Sequence, residues 1–493
     1  MGGADDEEES GEESEGGFLM DAISAAPAVI SNVSDAELDV IRGLFVVWAQ
    51  KRRRNLRRTA YYDGTQVVTD LGISIPPHVR GLDAVLGWPA KAVRALAQRN
   101  IWDGFVTPGQ EQDPFELLET LEQNNFDLEL PQSINAAYKH SVSFITTTKG
   151  DTASGDPDVL VMPRSAEWSA ATWDKNRRRV SAFLAITDTT EDQSNQILGF
   201  TAYLPDVVLM CVRTGRGWVA TRQKNPLGRV LVEALPFDPQ LERPFGHSRI
   251  SRAVMSITDR AARTLLRMEL HAEFFSAPQR YVLGVSDTTF EGKDKWDAYI
   301  GRFNALTKDE DGDVPKIQEL SASSPQPHID MLRAQAALFS GETGLALSSL
   351  GIVQDNPSSA EAIYAAKEDL IVEAQQANRV FGGRLKNVAR KIVMLRDGLS
   401  EPLPEMALLQ ANWRNPSFPS PVSAADALSK IAPVFPWLGD SEVALEHAGF
   451  TQPEITRLLS DKARGQASST LQALLSRVPS DASEKAVTDD NAS

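Results

Sequence analysis

The sequence predicts an α+β protein, on three observations. Between residues 143 and 221 lie six short runs rich in β-branched and aromatic residues, separated by Gly and Asp clusters. On both sides of them apolar residues recur at steps of three and four, the spacing of amphipathic helices. The longest such stripes, beyond residue 244, exceed what a compact enzyme domain uses and suit bundles, rods and rings.

Composition narrows the classes. The chain has 493 residues, enough for roughly two to four domain-sized units, and its 42% hydrophobic and 24% charged content is that of an ordinary soluble protein. No run approaches the ~18 apolar residues of a membrane span, so no transmembrane helix is expected. Residues 1–17 carry eight carboxylates and no base. A signal peptide would be basic there, so the segment reads as a solubilising acidic tail and secretion is not expected. The lone Cys211 excludes an internal disulfide and fits a reducing cytoplasm. A formal charge of −17 argues against gripping nucleic acid through phosphates. A channel through which DNA must slide has the opposite need, because an acidic or mixed wall avoids sticking. Charge alone does not choose between those two.

A capping box of Ser34 and Glu37 opens the first helix, with Leu38, Ile41, Leu44, Phe45 and Trp48 on its apolar face. Lys51, Arg52, Arg53, Arg54, Arg57 and Arg58 crowd its far end. Cations there complement the helix dipole and pair with neighbouring subunits or tails; a phosphate-contacting patch is the sharper alternative. Residues 70–129 alternate helices and turns, with Gly87-Trp88-Pro89 as punctuation. A helix is expected over 115–123, capped by Asp113 with Pro114 first. Strands are expected at 143–147, 159–162, 180–186, 197–203, 207–212 and 217–221, and the mixed domain closes at NPLGRVLVEALPF.

Beyond it, Ser248 is a natural N-cap and Pro278 a stop for a helix. Ile250, Val254, Ile257, Ala261, Leu265, Met268, Ala272 and Phe275 form its apolar face, and Arg260, Arg263 and Arg267 a second, charged stripe. Short strands over 281–284 and 314–320 flank a small helix, 295–306, that carries Trp296, Tyr299 and Phe303. Asp309, Glu310, Asp311 and Asp313 read as a solvated turn; a calcium loop would need a Glu where Leu320 stands. A helix over 327–340 sets Ile329, Leu332, Ala336 and Phe339 on one face. After a polar loop, 349–357, Ser358 and Glu361 cap a long helix whose stripe runs from Ala366 to Leu395 and ends at Gly398. At ~1.5 Å per residue it would span roughly 57 Å. Gly382-Gly383 marks a kink within it. A Pro-rich crossing, 401–420, leads to short helices over 422–431, 441–448 and 452–463, and from about residue 465 the Ser-, Ala- and Asp-rich end is expected to be disordered.

Chemistry is not visible. No G-x-x-x-x-G-K-[ST] loop occurs, so any ATP hydrolysis belongs to a partner. Gly246-His247-Ser248-Arg249-Ile250 starts like a nucleophile elbow but lacks the closing Gly and the preceding strand. The six histidines are scattered without metal-ligand spacing. No catalytic residue, cofactor or metal is expected.

Several pieces, in their order along the chain, carry a resemblance. They are YYDG at 61–64, GISIPP at 72–77, GWPAKAV at 87–93, NPLGRV at 225–230, GHSRISRAVMSITDRAARTLLRMELHAEFFSAPQRYVLG from 246, and NPSSAEAIYAAKEDLI from 356. Together they span about 61–398, and the ordered set resembles portal proteins of tailed double-stranded-DNA bacteriophages, in the branch common among phages of actinobacteria. The resemblance implies a portal-type fold. Its parts would be a disordered acidic N-terminal tail (1–33), an α+β wing (34–246), stem helices (247–277 and 326–346), and between them a clip (278–325). A tunnel loop (347–357), a long kinked helix (358–398), a helical crown (399–464) and a C-terminal tail (465–493) would complete it. It implies a ring, typically of twelve copies, at one capsid vertex, serving genome packaging and ejection. Partners would be further copies of the chain, the major capsid protein and scaffold, the terminase large subunit, head-tail connector proteins, and double-stranded DNA passing without sequence specificity. No membrane is involved; the place is the virion, with the host cytoplasm during assembly. By position, Val353, Gln354, Asp355 and Asn356 would face DNA, whereas Arg260, Arg263, Arg267, Leu265 and Met268 would meet the next subunit. Trp296, Tyr299 and Phe303 would serve docking at the clip. The alternatives are a helical scaffold that forms no ring and an enzyme with an unrecognised site; a solution monomer would favour the first, a pocket of perturbed carboxylates the second.

Overall fold

The computed structural model describes residues 26–66, 84–108, 113–191, 196–275, 280–283, 316–319, 324–352, 367–417, 421–431, 433–437 and 441–475. In order, β1 (Ile30–Ser31) leads into α1 (Asp35–Asp63), then α2 (Trp88–Ala97), β2 (Trp102–Val106), α3 (Leu117–Gln123) and α4 (Phe126–His140). The strand-rich part follows with β3 (Val142–Lys149), β4 (Val159–Ser165), β5 (Ser169–Asp174), β6 (Arg179–Thr189), β7 (Ile197–Tyr203), β8 (Val207–Thr214), β9 (Gly217–Lys224) and β10 (Val232–Pro236). Then come α5 (Arg252–Phe275), β11 (Arg280–Leu283), β12 (Lys316–Glu319), α6 (Gln326–Thr343), α7 (Glu368–Arg396) and β13 (Gln410–Trp413). A second compact unit, from Arg414 onward, holds α8 (Pro421–Ile431), α9 (Glu442–His447) and α10 (Gln452–Leu475). The chain is α+β.

The six expected strands form as β3, β4, β6, β7, β8 and β9. A six-stranded sheet runs in the order β1-β9-β8-β7-β6-β5, antiparallel except for the β1–β9 pair, and a three-stranded sheet runs β10-β3-β4. Alternate residues of β6 explain why it reads as an almost unbroken apolar run. Leu184 and Ile186 enter a core with Ile41, Phe45 and Trp48 of α1, while Phe183 and Ala185 enter the larger core with Phe144 and Tyr203. Both faces of the sheet are therefore covered, and period-2 alternation of polarity is lost. β1 lies inside the span assigned to the N-terminal tail; Ile30 is buried because its backbone pairs with Trp218 of β9.

Local signals hold at several ends. Ser34 and Glu37 make the capping box of α1, and Gly64 closes it in the left-handed region. Asp113 Oδ1 accepts from the amides of Leu117 and Leu118, although Phe115 and Glu116 have positive φ, so only Leu117–Gln123 is α-helical. Trp88-Pro89 begins α2 instead of interrupting the chain, since Pro is at home in a helix's first turn. α7 ends as expected, with Gly398 at φ 68° and Leu399 N donating to Met394 O.

Three expectations change. The cations at 51–58 are not at the end of α1, because the helix continues to Asp63 and its last turn holds no base; a dipole effect confined to that turn does not reach them. α5 begins at Arg252, and Ser251, whose Oγ accepts from Val254 N, takes the capping role expected of Ser248. Within α7 a Cβ on Gly382 would lie 3.2 Å from Trp413 Nε1, so that glycine admits β13. Finally, α10 runs through Gly465 to Leu475, beyond the expected end of order. The Ser358/Glu361 cap lies outside the described residues.

Candidate functional site

α5 and α6 pack on each other, with the antiparallel pair β11–β12 between them in sequence. The sequence spacing puts one apolar stripe on α5, but both α2 and α6 pack against the helix. Val254, Ile257 and Ala261 are buried as expected. Beyond them burial moves to Ala262, Leu266 and Leu270, leaving Leu265 and Met268 half-buried. Thr264 Oγ1 accepts from Gln335 Nε2 across the helix pair (3.1 Å), and the rings of His271 and His328 meet edge to face, 5.6 Å apart. The charged stripe divides. Arg260 is exposed and donates back to Ser256 O, whereas Arg263 is half-buried beside α1. Arg267 is half-buried as well.

The start of α5 is held by an arginine that spacing alone did not single out. Arg249 is buried, and its guanidinium donates to Ala92 O (2.8 Å), to Thr343 O (2.5 Å) and to the carboxylate of Glu373. Its amide donates to Tyr138 O. One side chain thus ties α2, the end of α6 and the start of α7 to the segment that launches α5. A second buried set lies alongside: Tyr138 Oη donates to Asn100 Oδ1 (2.5 Å), and Asn100 Nδ2 donates to Asn378 Oδ1 and Ala374 O. Burial pushes the Tyr138 hydroxyl well above its usual range, so it remains a donor. The signal in the sequence was the GHSRIS run itself. Gly246 has φ +69°, and a Cβ there would sit 1.8 Å from Phe237 O. Ser248 Oγ donates to Lys139 O (2.6 Å) and accepts from Ile250 N. The run is a docking turn, not a nucleophile elbow.

Farther along α7, Lys391 is buried, with Nζ 2.8 Å from Glu233 Oε1 and donating to Val232 O. Burial lowers its pKa, and the Glu233 carboxylate opposes that shift. The pair fastens α7 to β10. On α1, Arg52 lies over the rings of Trp48 and Trp168, and Arg58 donates to His140 O (2.9 Å), with burial lowering its pKa to about 10. Those two of the six cations are structural. Burial pushes the Cys211 thiol up to about 12, which leaves it unreactive.

Val353, Gln354, Asp355 and Asn356, and likewise Trp296, Tyr299 and Phe303, lie outside the described residues. Among the described residues no group of three or more His, Cys, Asp or Glu side chains could hold a metal ion, and no helix is long and apolar enough to cross a membrane.

Comparisons with known proteins converge. The family described as "Phage portal protein, SPP1 Gp6-like" matches residues 46–463. The portal protein of Mycobacterium phage D29 is 31% identical over 407 residues, covering 80% of this chain and 82% of that one. That of Mycobacterium phage L5 is 31% identical over 385 residues, 76% and 77% of the two chains. Among solved structures, the neck of a native GTA particle with C12 symmetry aligns at TM-score 0.41 and 11% identity, over 70% of this chain and 85% of that one. A family match over most of the chain, with two relatives matched over more than three quarters of their length, assigns it: the chain belongs to the phage portal protein family.

Proposed function

We propose that copies of this chain close into a ring of about twelve, with the α5–α6 pair lining a DNA channel. In this reading 34–246 is the wing, 278–325 the clip that receives the terminase large subunit and later the head-tail connector proteins, and 399–464 the crown. The loop containing Val353, Gln354, Asp355 and Asn356 faces the DNA, and Trp296, Tyr299 and Phe303 serve the clip. Assembly with capsid protein and scaffold takes place in the host cytoplasm. As portal family members are structural parts of the virion, no catalysis is assigned to the chain.

The observation that carries the ring is the incomplete cover of α5. Leu265 and Met268 are half-buried within one subunit, and Arg260 beside them is exposed. A neighbouring copy that buried these apolar groups would give the larger, more apolar contact of an obligate assembly. Arg260, Arg263 and Arg267 would then stand at the seam and meet carboxylates of the next copy, a charge balance that suits a wall past which DNA must slide. Light scattering and electron microscopy of the purified protein test this. A ring near twelve times 53.9 kDa with an open centre is expected. A monomer that stays monomeric with scaffold and capsid protein present would overturn it and favour a scaffold without a ring.

A further inference from the structure

On a chain with a formal charge of −17, one cleft is strongly basic. It lies between α1 and α5, about 710 Å³ in volume, and its walls carry Arg53, Arg57, Arg252 and Arg263. Among the described residues the only carboxylate lining it is Asp259, and that group is engaged: Tyr61 Oη lies 2.8 and 2.9 Å from its two oxygens. Burial, with the Asp259 contact, holds the Tyr61 hydroxyl above its usual range, so it stays protonated and donates. None of the four guanidinium groups forms an ion pair or hydrogen bond with another described residue. Like charges held this close repel, and an anionic occupant relieves that repulsion while their forked donors grip oxyanions.

We infer that this cleft takes the acidic segment 1–17 of the chain itself. Charge complementarity is the first ground: eight carboxylates and no base in that segment, against four arginines and one engaged carboxylate in the cleft. Reach is the second. The described chain begins at Ala26 and is anchored at the N-terminal end of α1, where Arg42 donates to Ala28 O and Arg222 to Asn32 O. From Ser34 to Arg53 and Arg57 along the helix is roughly 29–35 Å at ~1.5 Å per residue. From Ala26 back to Glu7 a fully extended chain covers about 60 Å, and a flexible one about 24 Å root-mean-square. The acidic run can therefore lie along α1 and enter the cleft, from its own subunit or an adjacent one. The inference does not depend on a ring, since every cleft residue belongs to one subunit.

Phenylglyoxal labelling read by mass spectrometry tests it. Arg53, Arg57, Arg252 and Arg263 are followed in the full chain and in a variant lacking residues 1–17, with exposed Arg216 as the internal standard. The four should react several-fold more slowly than Arg216 in the full chain. They should become reactive on deletion, on replacing the eight carboxylates by their amides, and at about 1 M salt, where screening shrinks to ~3 Å. Equal reactivity with and without the segment would overturn the inference. So would protection that appears only on adding short duplex DNA, which would make the cleft a phosphate site. Arg249, bonded in the core, should remain unreactive throughout and report that each variant is folded.

Discussion

Arg249 offers the most direct test of how the helix pair is held. Replacing it by Ala strands the carbonyls of Ala92 and Thr343, both accepting charged hydrogen bonds in the interior, and leaves Glu373 unpaired. The Glu373 side chain is 32% exposed, so water re-solvates it and most of the loss comes from the two carbonyls. At roughly 1.5–3 kcal/mol for each charge-assisted bond, the expected cost is about 3–6 kcal/mol. Arg249→Lys retains the charge but offers a point-like donor that cannot span three acceptors set in different directions; about 2 kcal/mol is expected. Urea unfolding of the full chain, followed by circular dichroism and tryptophan fluorescence, measures both, with Arg216→Ala as the exposed control. A cost for Arg249→Ala below about 1 kcal/mol would refute the view that this side chain clamps α5 to α2, α6 and α7.

Other consequences follow from the same geometry. Lys391→Met should destabilise by about 3 kcal/mol, because it strands the Val232 carbonyl and leaves the mostly buried Glu233 carboxylate with Arg384 at 3.9 Å in place of the 2.8 Å contact, and Glu233→Gln in the same chain should recover part of that loss in the unfolding midpoint. Gly246→Ala meets both a positive φ and a carbonyl at 1.8 Å, so it should lower soluble yield and the midpoint far more than Gly382→Ala. The latter needs only a small shift of Trp413 and gains helix propensity. Acid should destabilise the fold in two stages. Burial lowers the His140 pKa, so the unfolded state binds the extra proton and stability falls as pH drops below about 6.5. Glu167, beside the His140 ring and accepting from Thr59 Oγ1, is held at about 2, so its contribution is present above about 4.5 and lost between there and 2. Stability measured against pH should lose its upper limb in His140→Gln; an unchanged limb would assign it to another group.

Much of this protein is decided locally and could be read from the sequence. Caps, strand runs and helical stripes depend on neighbours a few residues apart, so Ser34 with Glu37, the six strands, the main helices and the Gly398 cap follow from spacing. The ordered motifs from YYDG to NPSSAEAIYAAKEDLI placed the chain in its family without any structure. Tertiary structure decided what depends on partners distant in sequence. Arg249 becomes a clamp only because residues 92, 343 and 373 converge on it, and Ser248 gives up its capping role to Ser251 because residue 139 lies within reach. A second neighbour of α5 turns a single apolar stripe into a shifted one, and β13 gives Gly382 its reason. Of the basic run 51–58, Arg52 and Arg58 are tied into the fold while Arg53 and Arg57 face the cleft, a division that rests on which residues fold back against each side of α1. The sequence holds the charges and the periodicities; which of them end up facing one another depends on contacts between segments far apart along the chain, as Arg249 with Ala92 (157 residues apart) and with Thr343 (94 apart).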